Sequence, residues 1–465
     1  MIDAGKALIT WLCLFSSSAL RAQVPADVSF FQPPSSAERS MQQCVFDPEA
    51  DAVLLFDKAW AYYNDEGNML TEHHVRLKIL RESGVHAADI EIPYYADKNF
   101  ETITDVRAAV WNGDDQAVWM DKKAVYVRKA NALYNITVFT VPHAGVGSVV
   151  EYAYVVTAKS ISGLTKWEFQ HHLPVMKSYF QVKMMPMVEF SYTVKKNPGN
   201  KVNLIPDQAE NTMSFSMDNV QGLRDEPFMD ARQDYLQRVN FQLSAVNKTG
   251  DRVGTTNYSK TYAQSWSELN TELLMDENYG GALSKTLDLP PTLTDMLAKN
   301  KEPMARIRFI LDHVRTSMKW NRFISVTATD NIRKIYADRT GTATEINLIL
   351  INLLRAAGID AKPVLASERS HGMVDTLYPI KEQFNLTVAS IDLQGKRYIL
   401  DATDPTTPAH IIPLALVHTR AFLVDRKMPG FFQIPDNGIT ESSTINLMSS
   451  IDAAGKLNGE ATIYD

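Results

Sequence analysis

The feature that most constrains this fold is an apolar helical segment in the last third of the chain. Nine of the thirteen residues 345–357 are Ile, Leu or Ala, and Gly358 follows them as a residue that favours a left-handed helix cap. Three strand-like segments then follow at 362–367, 384–389 and 398–405. The sequence therefore predicts a core helix followed by strands.

The same stretch, Gly341-Thr-Ala-Thr-Glu-Ile-Asn-Leu and then Tyr-Ile-Leu-Asp-Ala-Thr-Asp-Pro, resembles the core of the transglutaminase-like superfamily. Members of that superfamily carry a Cys at the helix N-terminus and His and Asp on the following strands. The resemblance places Ala343 at the Cys position, Leu386 at the His position and Asp401 at the acid position. It implies a papain-like α+β core whose nucleophile and base are both replaced.

Thiol chemistry requires a thiolate, a base and an orienting carboxylate. The chain has two cysteines, Cys13 and Cys44, and both lie far upstream of the predicted helix. Thr342 and Thr344 flank position 343 and are alternative nucleophiles, but their hydroxyls also suit helix capping, which we favour for Thr344. Asp401 is interpreted as a strand-end residue, since it would have no base to orient.

One histidine, His371, lies between Ala343 and Asp401. It is the local candidate for a displaced base, although its Ser- and Gly-rich surroundings favour a solvated loop residue. We therefore expect no catalytic residues in the core, with Thr342 and Thr344 as the alternative.

Residues 1–22 combine Lys6, a short apolar run and small residues before Ala22, which predicts a cleaved secretory signal. We accordingly expect a periplasmic, cell-surface or secreted protein. The Pro- and Ser-rich residues 23–44 are predicted to form a linker. Cleavage would leave Cys44 without a partner for an intrachain disulfide.

Alternating apolar and polar residues, separated by turn signals such as Asn197-Pro-Gly-Asn, predict an antiparallel β-sandwich at 45–262. Phe46-Asp-Pro-Glu-Ala, Gly147-Ser-Val-Val-Glu-Tyr and Trp167-Glu-Phe-Gln resemble an uncharacterised β-rich domain that precedes transglutaminase-like cores in exported Gram-negative proteins. The resembling core spans 263–435. Residues 436–465 have a hairpin pattern, which we interpret as the start of a truncated C-terminal β domain.

The formal net charge of −7 and the lack of basic runs argue against nucleic-acid binding. No cofactor or metal is expected, because the adjacent histidines of His73-His74 and His171-His172 would point to opposite faces of a strand. Three functions stay open: an inactive protein whose groove at Ala343, where an acyl substrate would lie in the resembling enzymes, binds a peptide, protein or cell-envelope ligand; an acyl transferase, amidase or peptidase with Thr342 or Thr344 as a non-Cys nucleophile; and a structural envelope component.

Overall fold

The computed structural model of the chain describes residues 31–113, 115–131, 133–160, 163–164, 166–185, 188–248, 258–261, 265–436, 438 and 443–464. These residues contain both helices and strands, so the protein is α+β. The chain divides into two compact units. One comprises Met1–Leu223 with Gln237–Leu243, and the other comprises Arg224–Leu236 with Ser244–Asp465.

The first unit is built mainly from strands. Their bounds are β1 Ala52–Tyr63, β2 Met69–Ile79, β3 Asp89–Tyr95, β4 Glu101–Trp111, β5 Val118–Trp119, β6 Tyr126–Lys129, β7 Tyr134–Thr140, β8 Val149–Ala158, β9 Lys166–Glu168, β10 Val175–Lys183, β11 Val188–Lys195, β12 Asn203–Asp207 and β13 Thr212–Val220. Strand β14, Arg238–Lys248, belongs to this unit up to Leu243 and to the second unit from Ser244. Among the described residues, eight strands form one sheet in the order β12-β13-β10-β1-β2-β8-β4-β5. A three-stranded sheet has the order β3-β7-β6, and β9 and β11 pair with β14.

The large sheet is not purely antiparallel, which corrects the expectation from the sequence. Strands β1 and β10 run parallel, with Leu54 opposite Val175 and Ala59 opposite Phe180. Turn signals report only on strands that are neighbours in the sequence. They therefore could not reveal a pairing between strands that lie far apart in the chain.

Residues 31–44, expected to be a linker, are hydrogen-bonded to β2 and β8 and include the short helix α1 (Ser36–Ser40). Arg76 Nη2 donates to the Gln32 carbonyl over 2.6 Å, and Lys78 Nζ donates to the Arg39 carbonyl over 2.9 Å. Both cationic side chains are buried and therefore need acceptors. The segment supplies some of these acceptors, beside Glu151 for Arg76 and the Gly147 carbonyl for Lys78, and these contacts hold it against the sheet.

The second unit contains the helices α2 Trp266–Met275, α3 Pro291–Lys299, α4 Pro303–Ser317, α5 Ile332–Asp338 and α6 Ala343–Ala356. Its strands are β15 Tyr258–Thr261, β16 Lys319–Trp320, β17 Thr340–Gly341, β18 Ala361–Ala366, β19 Leu386–Leu393, β20 Lys396–Leu400, β21 Arg420–Leu423, β22 Gly430–Gln433, β23 Thr444–Ile451 and β24 Leu457–Tyr464. Strands β23 and β24 form a hairpin, and β15 pairs with the C-terminal part of β14.

The core of this unit is α6 beside a five-stranded sheet of order β20-β19-β18-β21-β22. The helix is buried along most of its length, with Leu348 and Leu353 fully inaccessible to solvent. Gly358 follows it with φ of +79°, and its N–H donates to the Arg355 carbonyl over 2.9 Å. The chain can turn sharply from the helix into β18 because glycine tolerates that left-handed conformation.

Candidate functional site

The N-terminus of α6 is held by a reciprocal pair of hydrogen bonds. Glu345 donates its backbone N–H to Oγ1 of Thr342 over 3.3 Å, and Thr342 donates its backbone N–H to Oε2 of Glu345 over 2.7 Å. Such a capping box satisfies two donors that would otherwise have no partner within the helix. Thr342 is therefore the N-cap of α6.

Thr344 does not cap the helix, which corrects the interpretation favoured from the sequence. Its side chain is fully buried, and Oγ1 donates to the Ser325 carbonyl and accepts the Thr387 N–H over 2.9 Å. Two threonines flank the start of this helix, and their backbone conformations show which of them is the N-cap. Thr342 has the extended conformation of a cap, with φ of −70° and ψ of 168°, whereas Thr344 already lies within the helix.

Ala343 lies at the start of α6 with 2% of its surface exposed. Its methyl group belongs to an apolar cluster that also contains Leu386, the first residue of β19. Its backbone N–H donates to the Phe323 carbonyl over 3.0 Å. The other buried members of this cluster are Val364, Ala366, Val388, Ile399, Ile412, Leu416, Val417, Ala421, Leu423 and Ile434. Side chains therefore fill the space in front of Ala343.

Asp401 follows β20 and is 8% exposed. Its Oδ1 accepts hydrogen bonds from Asn347 Nδ2 over 3.0 Å, from the Thr403 N–H over 2.9 Å and from Thr403 Oγ1 over 2.7 Å. All three donors bind Oδ1, and Asp401 thus joins the first half of α6 to the turn after β20.

Two polar residues of α6 that the sequence analysis did not single out complete this network. Glu345 is buried, and its Oε1 accepts both the N–H and the Oγ1 of Thr329 over 2.7 Å. Asn347 donates to the Thr387 carbonyl over 3.0 Å and accepts the Ala402 N–H over 2.8 Å. Their signal was present in the sequence, because a polar residue within an otherwise apolar helix needs a buried partner.

His371 lies in a turn, where its N–H donates to the Glu368 carbonyl over 2.8 Å. Among the described residues, no hydrogen bond joins its ring to Thr342, Thr344 or Asp401. The sequence-predicted positions Ala343, Leu386, Thr342, Thr344 and Asp401 therefore lie around the start of α6, and His371 does not join them.

Charged groups lie close to the Asp401 turn. Arg315 of α4 donates from Nη2 to the Asp401 carbonyl over 3.0 Å. Burial lowers the pKa of Arg315, and the nearby carboxylates of Asp404 and Asp312 oppose that effect. Burial alone would raise the pKa of Asp404, but hydrogen bonds from Thr407 and Thr406 lower it to about 2. Asp404 therefore stays ionised near neutral pH, and its hydrogen bonds with Thr406 and Thr407 hold the turn in place.

The adjacent histidines of the first unit point to opposite faces of β2. His74 contacts the carboxylate of Glu151 through Nε2, whereas the ring of His73 stacks on Tyr154 with centroids 4.5 Å apart. Burial lowers the pKa of His73 to about 4. His171 Nε2 lies 2.6 Å from Asp57 Oδ2. In the described part of the chain, no three His, Cys, Asp or Glu residues are grouped as a metal site would require.

A pocket of about 560 Å³ in the second unit lies beside β20. Its floor is formed by buried apolar residues, and its walls carry aromatic and charged side chains. The lining residues are Asp392, Gly395, Lys396, Arg397, Tyr398, Ile399, Ala409, His410, Ile411, Ile412, Phe432, Gln433, Pro435 and Asp436. Ile399 and Ile412 also belong to the cluster around Ala343, so they separate this pocket from the helix start.

Residues 65–224 match a family model described as a domain of unknown function with a solved structure, DUF3857. The matched region covers the greater part of the first unit. The match identifies this segment by sequence but brings no activity with it. None of the curated proteins matches the chain.

The chain is also similar to solved structures. A structure described as a "putative protease" from Parabacteroides distasonis is 13% identical, with a TM-score of 0.60 over 87% of this chain and 78% of that one. A "putative cysteine protease" from Cytophaga hutchinsonii is 13% identical over 65% of this chain and 85% of that one, with a TM-score of 0.23. The first likeness shows a shared fold, and the second is too weak to carry an argument. Within the described residues, no helix is long and apolar enough to cross a membrane.

Proposed function

We propose that this chain is an exported protein with a transglutaminase-like second unit that has no catalytic activity and acts by binding a ligand. The likeness to a protein described as a protease supports the general fold. The order of α6, β18, β19 and β20, with Asp401 directly after β20, supports the transglutaminase-like assignment.

The observation that carries the proposal is the filled space in front of Ala343. A nucleophile at a helix N-terminus needs room for a substrate and free N–H groups to stabilise the oxyanion. Ala343 packs with Leu386 in an apolar cluster, and its N–H is donated to the Phe323 carbonyl. Loss of the nucleophile from a triad typically lowers turnover by about 10⁶-fold.

The alternative, acyl transfer or peptide hydrolysis by Thr342 or Thr344, has less support. A threonine hydroxyl needs a base that takes its proton. Thr344 Oγ1 already donates to the Ser325 carbonyl, and Thr342 Oγ1 accepts from the Glu345 N–H. Both hydroxyls are occupied in holding the start of α6.

The filled helix start also argues against a ligand groove at Ala343, where the sequence had placed one. Ligand binding is therefore proposed for the pocket beside β20, which has the space that the helix start lacks. If that pocket binds no ligand, a purely structural role of the protein is the remaining hypothesis.

Amine incorporation and peptide hydrolysis by the purified protein test the absence of catalysis. We expect no turnover above background from the native protein, from Thr342→Ser/Thr344→Ser or from Thr342→Ala/Thr344→Val. Turnover by the native protein that remains in Thr342→Ser/Thr344→Ser and disappears in Thr342→Ala/Thr344→Val would overturn the proposal and identify threonine as the nucleophile. Circular dichroism confirms that each variant is folded.

Export is proposed from the sequence of residues 1–22, which lie outside the described residues. Expression of the intact chain followed by N-terminal sequencing of the extracytoplasmic fraction tests it. A mature N-terminus after Ala22 or Ala19 is expected. An uncleaved chain in the cytoplasm would contradict this part of the proposal.

A further inference from the structure

The pocket beside β20 runs along an open edge of the sheet. Lys396, Arg397, Tyr398 and Ile399 are consecutive residues of β20, and all four line the pocket. Successive side chains of a strand point to opposite faces. A pocket that touches four in a row therefore follows the edge of the strand rather than one of its faces.

Among the described residues no strand pairs with the outer side of that edge, although Phe432 and Gln433 of β22 line the same pocket. In the described part of the chain β20 is the terminal strand of its sheet and pairs with β19 alone, with Ile399 opposite Ser390 and Arg397 opposite Asp392. An edge strand presents backbone N–H and C=O groups that can pair with another extended segment. Beside β20 this edge faces a pocket with room for such a segment, and residues 409–412 form part of the opposite wall.

The side chains define what the segment would carry. Ile399, Ala409 and Ile412 are buried and form an apolar floor beside the half-buried ring of Phe432. An apolar side chain of a bound segment would remove the exposed part of that ring from water, which favours binding.

The charged side chains of the pocket wall determine which kind of residue the bound segment would carry beside its apolar residue. Arg397 is already bound to Asp392, with Nε 2.9 Å from Oδ1 and Nη2 3.1 Å from Oδ2, and its guanidinium lies 4.5 Å from the ring centroid of Phe432. Lys396 instead lies over the ring of Tyr398 at 5.1 Å. Lys396 is therefore a cation at this edge that an acidic ligand residue would meet, and the carboxylate of Asp436 lines the same pocket.

We infer that the outer edge of β20 binds an extended peptide, which adds as a strand and carries an apolar residue next to an acidic one. The inference rests on the proposed function, since it gives the ligand class of the proposed binding protein. Main-chain hydrogen bonds to β20 would supply affinity, and the apolar floor with Lys396 would supply specificity.

The probe is an array of heptapeptides of alternating Val and Thr in which one central position carries Phe, Leu or Ala and its neighbour carries Glu, Gln or Lys. Fluorescence anisotropy with the full mature protein measures binding. We expect the Phe-Glu peptide to bind best and the Phe-Lys peptide to bind about 3- to 10-fold more weakly, as for a partly exposed charge pair. Failure of every peptide to bind at about 1 mM, a weak affinity by any measure, would overturn the inference.

Lys396→Glu makes the test specific, because it should reverse the preference between the Glu and Lys peptides. Lys299→Glu, on an exposed part of α3, is the matched control and should leave the preference unchanged. An unchanged preference in Lys396→Glu would overturn the placement of the peptide at this edge.

Hydrogen exchange reads out the strand pairing directly. Bound peptide should slow exchange of the β20 amides that face the pocket. If those amides are protected without peptide and only at high protein concentration, the edge pairs with a second copy of this chain, and the peptide assignment is wrong. If the protein binds peptide and also shows turnover, only the proposed inactivity is overturned. If it shows no binding and no turnover, only the peptide inference is overturned.

Discussion

Asn347 donates its side-chain amide to Asp401 Oδ1 over 3.0 Å, deep in the second unit. The same amide group donates to the Thr387 carbonyl, and its oxygen accepts the Ala402 N–H. One side chain of α6 thus fixes both the start of β19 and the turn after β20. The carboxylate of Asp401 acts as a structural acceptor in this arrangement.

The first prediction concerns this pair. Asn347→Asp places two carboxylates together and removes the donor, so we expect the free energy of unfolding to fall by about 2–4 kcal/mol. Adding Asp401→Asn restores a donor opposite the new carboxylate and should recover part of that loss. Urea denaturation of the two single variants and the double variant measures the coupling between the sites. Additive losses would show that the two side chains do not interact.

Thr344 gives a second prediction. Thr344→Val keeps the shape of the side chain but leaves the Ser325 carbonyl and the Thr387 N–H without their partner. A loss of about 2–4 kcal/mol in unfolding free energy is expected, because buried polar groups left unpaired are costly. Thr344→Ser retains the hydroxyl and is the matched control, with a smaller loss expected. Equal effects of Val and Ser would contradict the hydrogen-bonding role.

A third prediction concerns access to the helix start. In a Cys44→Ala background, the thiol of Ala343→Cys should react with a small disulfide reagent at least about 10²-fold more slowly than that of Met373→Cys, because reactivity depends on exposure and thiolate formation. Ala343 is 2% exposed, whereas Met373 is 74% exposed. Equal reaction rates would mean that the space in front of α6 is open.

Adding Leu386→His to Ala343→Cys restores the residue types that the resembling enzymes carry. We expect no amine incorporation, because the restored pair would lie in an apolar cluster without room for a substrate. Measurable turnover would instead show that the helix start retains reactive geometry.

The fourth prediction is a pH dependence of stability from His73. Its folded-state pKa of about 4 lies below the usual 6.5, so the unfolded chain binds the proton more readily. The contribution of neutral His73 to the free energy of unfolding is fully present above pH 6.5 and is lost as the pH falls towards 4. The change should be about 2 kcal/mol, somewhat less than the full pKa shift implies.

His73→Phe keeps a ring against Tyr154 and removes the titrating group, so the slope of unfolding free energy between pH 6.5 and 4 should become smaller. His143→Gln, at an exposed turn, is the control and should leave the slope unchanged. A slope that His73→Phe leaves intact would assign the pH dependence to other groups. His74 contributes in the same direction, because burial lowers its pKa as well.

Local patterns in the sequence were sufficient for the elements that depend on near neighbours. The apolar run at 345–357 and Gly358 predicted α6 and its left-handed end, since helix periodicity and capping act within a few residues. Alternation along β2 and β8 predicted strands for the same reason. The assignment of Ala343 and Leu386 to the Cys and His positions rests on the resemblance alone and stays a prediction.

What only the tertiary structure decided depends on residues distant in the chain. The parallel pairing of β1 with β10, the ordering of residues 31–44 over buried Arg76 and Lys78, and the burial of the Thr344 hydroxyl against Ser325 and Thr387 all require long-range partners. Asp401 combines both kinds of contact, since Thr403 lies two residues away and Asn347 lies far along the chain. Hydrogen bonds and buried charges are satisfied in three dimensions, so a sequence states the need for a partner, and the fold determines which residue meets it.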